Sequence, residues 1–414
     1  MIPSEFHDDA EEVPLWEVVP LADYRRPERP AAEVVRSGLF GLFRSKQRQN
    51  TDEAVVAEES LRKLPEDQLN SAAAWPDWQD TVPALEQAMP DLTGSDTGRH
   101  RIRVVVGAPY SGTREMVRCW AQLRQWLIVE PPGPERILAQ DESWFDAISD
   151  DGPPLVIAEL EHCMLRHPFG LAFLRRLLDR LRASPRRCLI ATNSWTWAYL
   201  TAAMRIGDAM AAPVTLQALD ADRLERWFSR LARPDGPATF RQADDGSLVL
   251  TRTEKAAVDS SSDARAPGKR SDFLRLLAGH SRGIAGVAWG IWRRSLQTPA
   301  SDGAATRLTE GDTAAEGPVV WVRPWSHVDW PSLPADAGLP ELLLLHALLI
   351  HGGLPEVALS EVLSALGVRG MVALQGLAAH GIVEEHHARW QVTPLGYPAT
   401  REALASEGLI VDRL

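Results

Sequence analysis

The chain has 414 residues, 45% hydrophobic and 24% charged, with a net charge of −12. At roughly 150 residues per domain this predicts two or three globular domains, and it excludes a nucleic-acid binder that works by bulk charge. No run approaches the ~18 apolar residues of a membrane span, and the acidic start is no secretory signal. Three cysteines (Cys119, Cys163 and Cys188) are too few and too odd for a disulfide framework, so a reducing cytoplasm is expected.

The charge is unevenly placed. Residues 1–99 carry 10 basic and 20 acidic side chains, residues 100–297 carry 28 and 22, residues 298–335 carry 2 and 5, and residues 336–414 carry 4 and 9. A basic middle between acidic ends suits a phosphate-bearing ligand in the middle and argues against DNA at the ends. Only four of the 44 basic residues are lysines (Lys46, Lys63, Lys255 and Lys269), which leaves residues 64–254 without one.

In chain order, residues 1–63 read as a largely disordered acidic region. Within it, residues 38–48 (GLFGLFRSKQR) join four large apolar side chains to three cations, which suggests a strip docking on the chain's own core or a peripheral membrane contact. Trp75, Trp78, Val82, Leu85 and Met89 recur at spacings of 3 and 4, one face of a helix. From residue 101, short β-branched or apolar runs at 101–106, 125–129, 155–158, 188–192 and 213–216 alternate with helical stretches. That alternation predicts an α/β domain over 64–233, with a parallel sheet and its ligand site at the strands' carboxyl ends. Residues 234–297 read as a polar insertion followed by a helical lid. Residues 298–335 read as a linker with a lone strand at 319–322. Residues 336–414 read as three helices, a two-stranded hairpin at 382–392 and a last helix, the order of a winged helix.

After the first run stands Gly107-Ala108-Pro109-Tyr110-Ser111-Gly112-Thr113-Arg114. A strand before it and a helix after it are the context of a phosphate-binding loop, and the two glycines have that loop's spacing. The lysine slot holds Thr113 and the Ser/Thr slot holds Arg114. Backbone N–H groups could still cradle an anion, but the cation for β- and γ-phosphates and the Mg²⁺-binding hydroxyl are out of register. The third run ends Ala158-Glu159-Leu160-Glu161, with Glu159 where an Mg²⁺-binding Asp would stand and Leu160 where a catalytic Glu would stand. If the strand continues, Glu159 and Glu161 share a face and could hold a metal together. The fourth run ends at Asn193, a polar residue at a strand end.

These features resemble the AAA+ class of P-loop ATPases and its STAND-like relatives over residues 101–297, with a winged helix after them. Residues 107–114 resemble a Walker A loop without its lysine, residues 155–161 a degenerate Walker B, and Asn193 the sensor-1 position. Arg282 lies near where sensor 2 would be. The resemblance implies ATP or ADP as ligand, with Mg²⁺ lacking its usual shell. Glu159, Glu161 and Asn193 are the catalytic candidates, and Gly107 to Arg114 with Arg282 the nucleotide-binding ones. Hydrolysis is expected to be weak or absent, with a regulatory or scaffold role through protein partners that bind the winged helix or N-terminal region, alone or as an oligomer. Two alternatives remain: an active ATPase in which Arg114 and Glu161 take over, and a winged-helix regulator that binds DNA. A zinc site at Glu161, His162, Cys163 and His167 lacks a second ligand pair of the usual spacing.

Overall fold

The computed structural model describes residues 13–28, 56, 58–92, 101–148, 152–233, 236–237, 239–251, 271–300 and 319–414. The apolar strip at 38–48 and most of the expected disordered region and linker lie outside the described residues.

Thirteen strands are formed among the described residues: β1 (Val18–Pro20), β2 (Leu61–Lys63), β3 (Ile102–Gly107), β4 (Leu127–Ile128), β5 (Leu155–Ile157), β6 (Cys188–Asn193), β7 (Val214–Leu216), β8 (Thr239–Gln242), β9 (Leu248–Thr251), β10 (Leu296–Pro299), β11 (Val319–Val322), β12 (Val383–His386) and β13 (Arg389–Val392). The helices are α1 (Glu66–Ala72), α2 (Val82–Ala88), α3 (Thr113–Leu123), α4 (Pro134–Leu138), α5 (Pro168–Ala183), α6 (Ser194–Met204), α7 (Ala221–Leu231), α8 (Phe273–Ser281), α9 (Ala285–Ser295), α10 (Leu339–Ile350), α11 (Glu356–Val362), α12 (Val368–Ala379) and α13 (Tyr397–Ser406).

The five expected strands form one sheet in the order β7-β3-β6-β5-β4, all parallel, and β1 adds antiparallel to β7 at the edge. Strands such as Val104, Val105 and Val106, and Leu155, Val156 and Ile157, are buried, as helices on both faces require. Helix boundaries follow local chemistry. The Asp220 carboxylate accepts the Arg223 N–H at 2.8 Å and starts α7, and Asn193 starts α6 in the same way.

Several expectations change. The single helix at 75–89 is instead a tight turn at Trp78–Thr81 running into α2, and Trp75 is 70% exposed. The polar insertion contains β8 and β9, and the lone strand at 319–322 is not alone. Both belong to a second, five-stranded sheet in the order β2-β10-β11-β8-β9. Helix α9 stops at Ser295, where β10 begins.

Residues 339–406 fold as α10, α11, α12, the β12–β13 hairpin and α13. Their buried apolar side chains, from Leu342 to Leu404, belong with Leu414 to the same continuous core as the parallel sheet. Among the described residues no helix is long and apolar enough to cross a membrane.

Candidate functional site

The glycine loop joins β3 to α3 at the carboxyl edge of the parallel sheet. Gly112 has φ +82°, a left-handed conformation that side chains disfavour. A Cβ there would also meet the Trp78 ring at 2.0 Å. Gly107 is required for space, because a Cβ would lie 2.2 Å from Thr113 Oγ1 and 2.7 Å from Ser111 Oγ. These two hydroxyls are hydrogen-bonded to each other at 2.8 Å on the loop's inner side. Tyr110 is tied at both ends: its carbonyl accepts the Gly286 N–H at 2.8 Å, and its hydroxyl donates to the Val392 carbonyl of the hairpin. Burial raises the Tyr110 phenol above its ordinary range. Beside Ala108 and Ser111 the remaining cavity is about 10 Å³, walled by Trp16, Tyr24, Gly283 and Leu414. That is room for about one water. That cavity is too small for a base or ribose.

Arg114 faces Glu159. Its Nη1 lies 2.9 Å from Glu159 Oε1, Arg118 Nη1 lies 3.7 Å from Oε2, and His162 Nδ1 lies 3.1 Å from Oε1. Burial would raise the Glu159 carboxyl, but His162, Arg114 and Arg118 together hold it below the usual carboxylate value. In an active P-loop site the Ser/Thr slot and the third-strand carboxylate are joined through Mg²⁺. Here a guanidinium of the chain itself joins those two positions. This donor set, a cation facing a carboxylate that already has two further basic partners, does not fit Mg²⁺, which needs oxygen ligands.

The two carboxylates do not act as a pair on a strand. Strand β5 ends at Ile157, and residues 160–163 turn as a short 3₁₀ helix, so Glu161 leaves the strand face. Glu161 Oε2 accepts the Asn193 N–H at 3.1 Å, and burial pushes its carboxyl up. No cluster of three or more His, Cys, Asp or Glu side chains suited to a metal occurs among the described residues, Glu161, His162, Cys163 and His167 included.

Asn193 pairs in register with Gly107 across β3 and β6, so the sheet brings the fourth-strand residue beside the loop. Its Oδ1 caps α6, accepting from Thr196 N at 2.8 Å, and lies 3.0 Å from Thr196 Oγ1. Its buried Nδ2 has no hydrogen-bond partner. Arg282 is displaced from the expected role. It sits in a left-handed turn after α8 and gives Nε and Nη2 to the Leu414 carbonyl. Burial, with Arg401 and Arg26 nearby, lowers it to about 10.

Sequence reasoning missed what covers the crevice. The turn after α10 places Gly352 (φ +58°) over Glu161, His162 and Asn193, where a Cβ would lie 3.2 to 3.5 Å from all three. Arg389, on β13, gives Nη2 to the Gly353 carbonyl at 2.6 Å and lies close enough to Glu159, Glu161 and Arg114 to feel their charges. His351 Nε2 accepts the Arg166 N–H at 2.9 Å while Nδ1 meets the Ala347 carbonyl at 2.7 Å, an arrangement that fits the neutral imidazole. Burial depresses it to about 3. The Thr196 hydroxyl lies between Asn193 Oδ1 and the Ile350 carbonyl and can donate to one of them at a time, Ser194 Oγ donates to Asp412, and Trp195 Nε1 to Tyr397 Oη at 3.1 Å. The only local signal for this cover was Gly352-Gly353 at a helix end, which marks a turn but not its destination.

No protein-family model matches the chain, and no curated protein matches it. Among solved structures it is similar to the crystal structure of Cdc6p from Pyrobaculum aerophilum, at 13% identity and a TM-score of 0.30, over 84% of this chain and 99% of that one.

Proposed function

We propose that this chain is an AAA+-like P-loop protein whose crevice has lost hydrolytic chemistry and which acts through contacts with other proteins. The observation that carries this reading is the Arg114–Glu159 ion pair at 2.9 Å. It puts a cation of the chain itself where catalysis would need an exchangeable Mg²⁺. Glu161, the residue that would have to replace the catalytic carboxylate, is bound to the Asn193 backbone. The covering unit, a winged helix in this reading, supports the same view by closing the crevice from above.

Protein rather than DNA as partner is supported by that unit's outer surface. Val368 and Val372, one turn apart on α12, are 81% and 69% exposed, and the hairpin beside it carries exposed Glu384 and Glu385. An apolar helix face suits a protein, and hairpin carboxylates repel phosphate. One observation favours a remnant of ligand sensing: the unpartnered Asn193 Nδ2 would face the crevice if the Gly352 turn lifted. The test is ATP turnover by the purified chain and by Glu159→Gln. Both should stand at the no-protein background; turnover that Glu159→Gln abolishes would establish the active-ATPase alternative instead.

A further inference from the structure

At the other end of the parallel sheet lies a surface groove of about 520 Å³ between α5 and the end of α6. Its position follows from chain direction. Helix α5 ends at Ala183, just before parallel strand β6 begins at Cys188, and α6 starts at once after β6 ends. Both helices therefore finish at the sheet's amino edge, away from the glycine loop. The volume is within the ~300–1,000 Å³ of ordinary ligand sites.

Arg175, Asp179 and Arg182, spaced four and three apart, line one wall from a single face of α5, and Arg205 lines the other. Met204, partly exposed, contributes apolar surface between them, above the buried Leu178. Arg182 is engaged by Asp179 at 3.1 Å. Neither the Arg175 nor the Arg205 guanidinium has a hydrogen-bond or ion-pair partner among the described residues, and both residues are exposed. Three guanidiniums face one carboxylate and two helix C-termini of about half a negative charge each, which leaves the groove about one charge positive. This local excess is modest. It suits a ligand with a few carboxylates better than a polyanion, and a chain of net charge −12 would repel a nucleic acid everywhere else.

We infer that this groove binds a short acidic segment of a partner protein. Carboxylates on the segment pair with the forked guanidiniums of Arg175 and Arg205, and an apolar side chain between them rests on Met204. The inference gives the partner's chemistry for the contact role proposed above and rests on that reading. Peptide binding is measured separately from ATP turnover, so the two can fail independently.

The experiment is a fluorescence-anisotropy titration of the full chain with a labelled peptide of Glu-Leu-Leu-Glu repeats, against a Lys-Leu-Leu-Lys peptide of equal length. The variant is Arg175→Glu with Arg205→Asn; asparagine is chosen because position 205 has φ +52°, which asparagine tolerates. Saturable, salt-sensitive binding of the acidic peptide, weakened at least about tenfold in the variant, is expected. Any binding of the basic peptide to the chain's acidic surface should be weaker and unchanged in the variant. An unchanged melting temperature shows that the variant is folded, and Arg175→Gln alone, at an exposed helix position, provides a milder check that should give a smaller loss in the same direction. No binding of the acidic peptide, equal binding by the folded variant, equal binding of the basic peptide, or displacement of the acidic peptide by duplex DNA would each overturn the inference.

Discussion

The two edges of the parallel sheet use their arginines differently. At the carboxyl edge Arg114 and Arg118 meet Glu159, Arg282 meets the Leu414 carbonyl and Arg389 meets that of Gly353. At the amino edge Arg175 and Arg205 stand open to solvent. Residues 100–297 have six more basic than acidic side chains, an excess that suits a phosphate-bearing ligand but does not say at which edge. Partnering, not segment charge, decides which cations are available: those at the loop are committed within the chain, as Arg182 and Arg186 are at the far end, while Arg175 and Arg205 there are open.

The contrast depends on the carboxyl edge being a packed interior. Trp195→Ala tests this most severely. Trp195 is 1% exposed and donates to Tyr397, so its loss should cost about 3–5 kcal/mol. Chemical denaturation should still show one transition, shifted to lower denaturant. Early melting of residues 339–414 with an unchanged sheet transition would show that the cover is not packed into the sheet's core.

Gly112→Ala should cost about 2–4 kcal/mol, because it combines a left-handed backbone with a Cβ that collides with Trp78. An unaffected unfolding midpoint would mean that the loop is not packed as described.

His351 supplies a pH test. Its folded value near 3 lies below the ordinary 6.5, so the unfolded chain takes up the proton first as pH falls. Stability from this group is therefore full above about 6.5 and declines toward 3, by at most about 1.4 kcal/mol per pH unit. Denaturation curves between pH 7 and about 5 should lose about 1–2 kcal/mol in the wild type from this source, and His351→Asn should flatten that slope. Equal slopes would place His351 outside the interface.

Arg114→Ala should have the smallest effect, under about 1 kcal/mol. Its side chain is 53% exposed, and Arg118 and His162 continue to hold Glu159. A thermal shift of many degrees would give Arg114 a structural weight its exposure does not suggest.

Much of the parallel sheet was legible in the sequence because each strand is a short run of apolar residues with its own turn signals. The second sheet was not. Its strands are three or four residues long and come from five separate segments, so pairings such as Gln297 with Lys63 and Thr239 with Val319 are set by long-range packing. At the site, the glycine spacing identified the loop, and the positions of Thr113 and Arg114 identified what it lacks. The destination of Arg114 was hidden because its partner lies 45 residues away, beyond another strand. Arg389 and Gly352 were illegible for the same reason: nothing local in a hairpin or a glycine pair says which surface it will cover.

In the proposed function the Arg114 guanidinium stands where Mg²⁺ would act. Isothermal calorimetry of the full chain with ATP, with and without Mg²⁺, tests it directly. Any ATP affinity should be the same in both conditions, and the same again in Glu159→Gln. Affinity that rises about tenfold or more with Mg²⁺, and loses that gain in Glu159→Gln, would contradict it.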